Sequence, residues 1–390
     1  MKHICILGGT GSIGTQVLDI IDAKKDLYLL EAFSFGHNIN KAIEIISKFK
    51  PKLVVTPFLK EYIAVKRYIR TNKLNILVSL NLLDIVNRNT ENQVVINALV
   101  GSCGLEPTIE AIKKGKVLLL ANKESLVMAG SIVLEELNKS NSVLIPIDSE
   151  HSALYQLINE VNYHDILNIY ITASGGALRD FPIERLKSVR KEDALKHPNW
   201  QMGSKITIDS ATMMNKVFEL VEAKYLFGFK NPQALIDRTS KIHAAIELKN
   251  GEVLYHTSNN DMHLPIEYAM TYPNMVSYNE AINRLSSIDE LINKFNLEKI
   301  DYIRYPLIKY GKMILEDQSF LGTIVTVCND YLVEMFLHNQ LLYTDIERIM
   351  DKVVLKVSKK IEKLEFNFKN ILYVKKIVLK EVKKCFGMFS

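Results

Sequence analysis

The 390-residue chain has no apolar run able to cross a bilayer. Its longest stretches, such as Val117–Leu120 and Ile132–Leu134, fall far short of the roughly 20 residues a spanning helix needs. The N terminus, Met1-Lys2-His3-Ile4-Cys5-Ile6-Leu7, lacks the longer apolar core and small-residue cleavage site of a secretory signal. No membrane partner and no export are expected. Cysteine is scarce: Cys5, Cys103, Cys328 and Cys385 are widely scattered, which excludes a disulfide framework and suits a reducing cytoplasm. Tryptophan occurs once, at Trp200. There is no internal repeat and no low-complexity tract. Excess charge is small, at +5, which suits an anionic substrate without requiring one. The late lysines (Lys352, Lys356, Lys359, Lys360, Lys375, Lys376, Lys383, Lys384) alternate with Val, Ile and Leu at helical spacing. That pattern describes a solvated helix face, and no nucleic-acid partner is expected.

What is present is β-α alternation. Ile4–Leu7, Leu29–Phe33, Leu53–Thr56, Val94–Ala98, Val117–Ala121 and Val143–Pro146 have strand character, with helical stretches such as Thr15–Ala23 and Ile39–Phe49 between them. The fold class is α/β, with an N-terminal Rossmann-like, doubly wound parallel sheet over residues 1–147. Residues 148–272 form a motif-dense second region, 273–299 a linker, and 300–390 a helical C-terminal domain, because Leu, Ile and Val recur there at helical spacing.

Gly9, Gly11 and Gly14 satisfy G-x-G-x-x-G directly between the first strand and a helix, the context a dinucleotide site requires. The glycines let backbone approach a pyrophosphate, whose charge then sits on the helix N terminus. The second strand ends in Phe33-Ser34-Phe35-Gly36-His37-Asn38, without the Asp or Glu that holds an NAD ribose. Glu31 is mid-strand. NADP is therefore favoured, with Ser34, His37 and Asn38 facing the 2′-phosphate.

Asp148-Ser149-Glu150-His151 follows the strand Val143–Pro146, at the carboxyl end of the sheet. In extended backbone Asp148 and Glu150 project to one face, where two carboxylates repel unless a cation separates them. Oxygen ligands alone suit Mg²⁺ or Mn²⁺. The alternative is that Asp148 caps a helix beginning near Ser152. Thr172-Ala173-Ser174-Gly175-Gly176 is either a plain turn or an anion-binding nest. If a helix opens near Ser210, Asn215 and Glu219 share one face beside Lys216, a set suited to phosphate and metal, or simply to an amphipathic helix. Trp200 lies in the loop His197-Pro198-Asn199-Trp200-Gln201-Met202-Gly203, either as a lid over ligand or packed permanently on the core.

These stretches, together with Leu-Ala-Asn-Lys-Glu-Ser-Leu-Val (120–127) and Lys-Ile-Thr-Ile-Asp-Ser-Ala-Thr-Met-Met-Asn-Lys (205–216), resemble the 1-deoxy-D-xylulose 5-phosphate reductoisomerase family, in order over the first 270 residues. The resemblance implies an NADPH domain, a central α/β catalytic domain that also forms the homodimer, and a C-terminal helical bundle. It implies that Thr10, Gly11, Ser12, Ile13, Gly36, His37, Asn38, Asn122, Glu124 and Gly203 contact NADPH. Asp148, Glu150 and Glu219 fall on metal ligands. Lys123, Ser149, Glu150, Ser174, His197, Ser210, Asn215, Lys216 and Glu219 fall on positions facing a small sugar-phosphate substrate. Lys123, Glu150 and His151 are candidates for proton transfer. The chain departs from the family pattern at Ala177-Leu178, Val217-Phe218, Asp237–His243 and His263, none of them a metal or phosphate ligand. The implied reaction converts 1-deoxy-D-xylulose 5-phosphate to 2-C-methyl-D-erythritol 4-phosphate, an isoprenoid precursor, with NADPH as reductant. A plain NADP-dependent dehydrogenase would leave the three carboxylates idle. A nucleotide-sensing scaffold would have no need to retain the whole set.

Overall fold

The computed structural model describes residues 1–88, 93–275, 281–317 and 319–387. Contacts divide the chain into two compact units: Met1–Asn122 with Val133–Asp148 and Met262–Val276, and Lys123–Ile132 with Ser149–Asp261 and Ser277–Ser390.

In the first unit, β1 (Lys2–Leu7), β2 (Tyr28–Ser34), β3 (Leu53–Val55), β4 (Leu77–Ser79), β5 (Gln93–Asn97), β6 (Val117–Leu120) and β7 (Val143–Pro146) form one parallel sheet of order β4-β3-β2-β1-β5-β6-β7. The sequence reading missed only β4, three residues long and too short for a period. Strands buried on both faces need apolar runs, and β3 and β5 are buried throughout. The helix Ser12–Ala23 buries Val17, Leu18, Ile20 and Ile21, and Ile39–Phe49 buries Ala42, Ile45 and Ile46. The strand order reverses between β2 and β5, so β1 ends at the switch point where ligands of open α/β sheets bind. The chain returns to this unit late. In the helix His263–Met270, Ile266, Ala269 and Met270 join the same core, Glu267 pairs with Lys24, and the Met270 carbonyl accepts from Lys2 Nζ at 2.7 Å.

The second unit holds β8 (Ile166–Ala173), β9 (Gln233–Ile236), β10 (Ile242–Leu248), β11 (Val253–Thr257), β12 (Ile282–Leu285) and β13 (Glu298–Lys299), in the order β12-β11-β10-β8-β9-β13. Its pairs are antiparallel except β8 with β9. The expected linker thus carries β12, the helix Ile288–Phe295 and β13, while residues 276–280 lie outside the described residues. Leu291 and Leu297 are buried with Tyr170, Ile242 and Val253, so the segment belongs to a core. Elements of two to eight residues separated by single turns have no periodicity long enough to read. The late helices Leu321–Leu337, Asp345–Ile361 and Phe368–Phe386 pack together through residues such as Val325, Leu332, Val353, Val357, Val374 and Val378. Lys352, Lys356, Lys359, Lys360, Lys376, Lys383 and Lys384 face outward. No described helix is long and apolar enough to cross a membrane.

Candidate active site

β1 runs into Gly8, whose φ of +91° is left-handed and whose added Cβ would lie 2.6 Å from the Ala98 carbonyl oxygen. A Cβ on Gly14 would lie 2.3 Å from the Gly8 oxygen, so the helix can approach the turn only as glycine. Gly11 caps that helix without a side chain, and no acid stands in its first turn. The first amides, beside Thr10, Ser12 and the half-buried Ile13, are therefore set up for an anion. Gly36, His37 and Asn38 follow β2. The exposed His37 ring lies 3.9 Å from Phe58 between centroids and meets Glu61 at 2.9 Å. Asn38 caps the next helix by accepting from the Lys41 amide at 3.1 Å.

Two readings change here. Ser34 is buried, and its Oγ accepts from the Gly8 amide at 2.9 Å, so it shapes the turn and is not open to a 2′-phosphate. Asn122 is buried too, its amide donating to the Leu99 and Gly101 carbonyls at 2.9 Å each. Glu31 is fully buried and held by His3, Lys52 and Arg88, as its mid-strand position implied.

The carboxylates converge. Asp148 lies one residue before the helix Ser149–Asn159, so its nearness to Glu150 is set by the chain itself. With Glu219 of the helix Met214–Phe227, the three offer oxygens within 4.8 Å of one another. The extended backbone expected at 148–150 is instead the first helical turn, where Ser149 Oγ donates to Glu150. Two buried lysines supply cations: Lys123 Nζ donates to Glu219 Oε1 at 2.8 Å and to Asn215 Oδ1 at 2.9 Å, while Lys216 Nζ donates to Glu150 at 2.9 Å and to Glu219. Burial alone would lower the Lys216 pKa, but Glu150 and Glu219 outweigh it and hold the ammonium above its ordinary value. Three carboxylates against two ammonium groups leave one net negative charge. An all-oxygen donor set of that charge fits a hard divalent ion.

The helix expected to open near Ser210 closes there: Ser204–Ala211 ends, Met213 takes a left-handed φ of 65°, and Met214–Phe227 begins. Asn215 and Glu219 do share a face, the Asn215 amide donating to Glu219. His151 lies on the buried side of its helix. Its ring is fully buried, stacked on Phe227, with Nε2 3.0 Å from the Glu219 carbonyl and Nδ1 3.5 Å from Glu222. These contacts tie it to the helix that carries Glu219. Glu124 is buried and pairs with Lys205 at 3.2 Å, and Gly203 caps Ser204–Ala211, where an added Cβ would meet nothing within 4 Å.

The turn after β8 carries two left-handed residues in succession. Gly175 and Gly176 are both left-handed, at φ +83° and +69°, and an added Cβ on Gly176 would lie 2.6 Å from the Ser210 oxygen. Ser174 Oγ accepts from the Gly176 amide at 3.0 Å and lies 2.8 Å from His197 Nε2. His197 Nδ1 accepts from the Asn199 and Trp200 amides, so a neutral ring carries its proton on Nε2 and donates to Ser174. Burial, with the Arg179 charge added, pushes the His197 pKa down to about 4 and keeps the ring neutral. The Ser174 hydroxyl proton is then left to donate to an anion. Arg179 and Lys205 escaped the sequence reading. Their partners at 2.7–3.4 Å (Ser174 and Arg238 for Arg179; Glu124, Asp209 and Asp330 for Lys205) lie up to 125 residues away, and only the glycine pair hinted that residue 179 folds back.

Trp200 is half-buried, edge-on to His243 at 6.1 Å, and His243 meets His256 at 6.3 Å. The His256 ring is buried, with no hydrogen-bond partner for either nitrogen among the described residues. Burial, then the His243 charge, lowers its pKa from 6.5 to about 4. The unfolded chain takes up this proton near pH 6.5 and the folded chain only near 4, so stability is lost as pH falls through that window. Urea midpoints of His256→Gln should fall less steeply than wild type between those pH values; parallel curves would assign the acid limb to other groups.

Models of the 1-deoxy-D-xylulose 5-phosphate reductoisomerase family match residues 4–130, of its C-terminal domain 144–227, and of a further DXP reductoisomerase C-terminal domain 257–378. The 1-deoxy-D-xylulose 5-phosphate reductoisomerase of Bacillus subtilis strain 168 is 40% identical, covering 91% of this chain and 92% of its own. That of Clostridium novyi strain NT is 38% identical, covering 92% and 94%. A crystal structure of DOX-P reductoisomerase in complex with NADPH, fosmidomycin and magnesium superposes with a TM-score of 0.88 at 30% identity, covering 100% of this chain and 99% of that one. The Zymomonas mobilis enzyme in complex with NADPH gives 0.81 at 26% identity, covering 99% of each. The chain therefore belongs to the 1-deoxy-D-xylulose 5-phosphate reductoisomerase family.

Proposed function

We propose that the chain converts 1-deoxy-D-xylulose 5-phosphate to 2-C-methyl-D-erythritol 4-phosphate, isomerising and reducing it with NADPH and a divalent metal. The observation that carries this is the carboxylate cluster Asp148, Glu150 and Glu219 with Lys123 and Lys216 against it. A simple dehydrogenase has no use for such a cluster. When bound, the metal polarises the substrate ketone and neighbouring hydroxyl and the nicotinamide supplies hydride.

The chain's own residues do the rest. Thr10, Gly11, Ser12, Ile13, Gly36, His37 and Asn38 form the NADPH surface, with Glu124 and Gly203 as further contacts. Asn122 contributes through the turn it pins. Ser174, Ser210, Asn215 and Lys216 hold the phosphate, whose binding energy orients the reacting end. His197 keeps Ser174 in its donating rotamer. Ser149 orients Glu150, and Lys123 Nζ, donating to Glu219 at 2.8 Å, is the proton donor of this reading. The homodimer, built on residues 148–272, and the cytoplasm as location belong to the same reading. Cys5, Cys103, Cys328 and Cys385, all free, support the latter.

The test is an assay of purified protein with this substrate, NADPH and Mg²⁺ or Mn²⁺. Turnover that needs all three, yielding the branched alcohol, is expected; NADPH oxidation indifferent to EDTA would return the chain to the plain dehydrogenases. NADPH should outperform NADH by at least about tenfold in kcat/KM, or roughly 1.4 kcal/mol. With Ser34 withdrawn, that preference rests on His37 and Asn38, and His37→Ala should narrow it. Equal use of both cofactors by the wild type would remove the 2′-phosphate from this corner. Trp200→Ala should lower turnover and substrate affinity with little change in Tm, since a lid ring packs on ligand. A Tm several degrees lower with normal activity would make Trp200 a core residue.

A further inference from the structure

Past the two left-handed glycines the chain doubles back, so that the Arg179 guanidinium runs beneath the Ser174 turn. Its Cβ and Cδ would stand 3.0 and 3.1 Å from a Cβ on Gly175. Arg179 Nη1 donates to two carbonyls, those of Ser174 and Arg238, at 2.8 Å each. The Arg238 carbonyl also accepts from Asn199 Nδ2 at 2.8 Å. The Asn199 amide donates to His197 Nδ1 at 3.2 Å, and His197 Nε2 meets Ser174 Oγ at 2.8 Å. The bonds close a ring: Ser174, Arg179, the Arg238 carbonyl, Asn199, His197, and Ser174 again.

We infer that Arg179 is a positioning residue coupling an anion at Ser174 to the setting of the 197–200 loop, an inference that rests on the phosphate site proposed above. The ring joins the two places by both of the serine's ends. His197 holds the hydroxyl and Arg179 the carbonyl, so an anion that draws the Ser174 hydroxyl shifts a turn already tied to Asn199. Arg179 is the one charged side chain in the ring, and its planar fork reaches two carbonyls from one nitrogen. A lysine offers a point charge with no such geometry. Without the guanidinium the Ser174 carbonyl loses this donor, while Asn199 still serves Arg238. The loop then keeps its own bonds and the His197 contact to the Ser174 hydroxyl, and loses its second tie, through the Ser174 carbonyl.

Trp200 is the only tryptophan, so its emission reports on the loop directly. The probe is inorganic phosphate, read as a change in Trp200 emission and as competitive inhibition of turnover. In the wild type phosphate should do both. In Arg179→Gln it should still inhibit, more weakly, and move the emission less than in the wild type, because only the His197 leg remains; an undiminished emission change would overturn the coupling. Arg179→Lys, which keeps charge and stem, should fold with a wild-type Tm and show the same weakened emission response; rescue by lysine would show that only charge was needed and overturn the coupling. KM should rise about tenfold in Arg179→Gln and in Asn199→Ala, and the double variant should be no worse than the worse single, because both cut one ring. Multiplying effects would overturn the inference. Phosphate that neither inhibits the wild type nor moves its emission would instead remove the anion site itself, and with it the basis of the coupling.

Discussion

Glu219→Gln should lower turnover by about a hundred- to a thousandfold at limiting metal, the scale of losing one preorganised electrostatic group. The amide keeps the side-chain shape but withdraws the charge that holds a hard cation. Raising Mn²⁺ should recover part of the loss, and NADPH affinity should stay, because the glycine turn is a separate site. Lys123 and Lys216, with side-chain exposures of 8% and 2%, already face Glu219 and offset part of the carboxylate charge without a metal. Wild type in EDTA should therefore be folded and inactive, and regain turnover with added Mn²⁺. Glu219→Gln should be less stable than wild type in EDTA, by about 3–5 kcal/mol, since two buried ammonium groups lose their shared partner. A hydroxamate-bearing phosphonate should inhibit the wild type and lose affinity for the variant. Full activity of Glu219→Gln in EDTA would strike the metal from the mechanism.

Gly14→Ala should raise KM for NADPH by about ten- to a hundredfold while leaving the metal requirement intact. The cause is space. The new Cβ would meet the Gly8 oxygen at 2.3 Å and the Gly9 Cα at 2.6 Å, both backbone atoms with no rotamer to turn away. The helix Ser12–Ala23 must then lift from the turn, and its N-terminal amides leave the place a pyrophosphate would occupy. Overpacking of this kind costs about 1–3 kcal/mol, so a modest fall in Tm should accompany the loss. An unchanged KM for NADPH would mean that the dinucleotide binds elsewhere on the chain.

Much of the fold could be seen in the residues alone, for a reason that is local. A strand, a glycine turn and a helix are decided within some fifteen neighbours, so β1, Gly8–Gly14 and the helix after them stand where the spacing places them, as does β7 over Val143–Pro146. The three carboxylates could also be named, because their motifs carry residue types that a hard ion needs. Tertiary structure decided what each side chain has left to give. Ser34 has the right chemistry for a 2′-phosphate, yet it faces Gly8 because β1 and β2 are neighbours in the sheet. His151 follows Glu150 in sequence, but helical turning from Ser149 carries its ring to the buried side, against Phe227. The return of His263–Met270 to the first unit, Lys123 reaching Glu219 across 96 residues, and the ring through Arg179 leave no local pattern. Each is fixed by which surfaces must be buried together, and that choice depends on the whole chain rather than on any window of it.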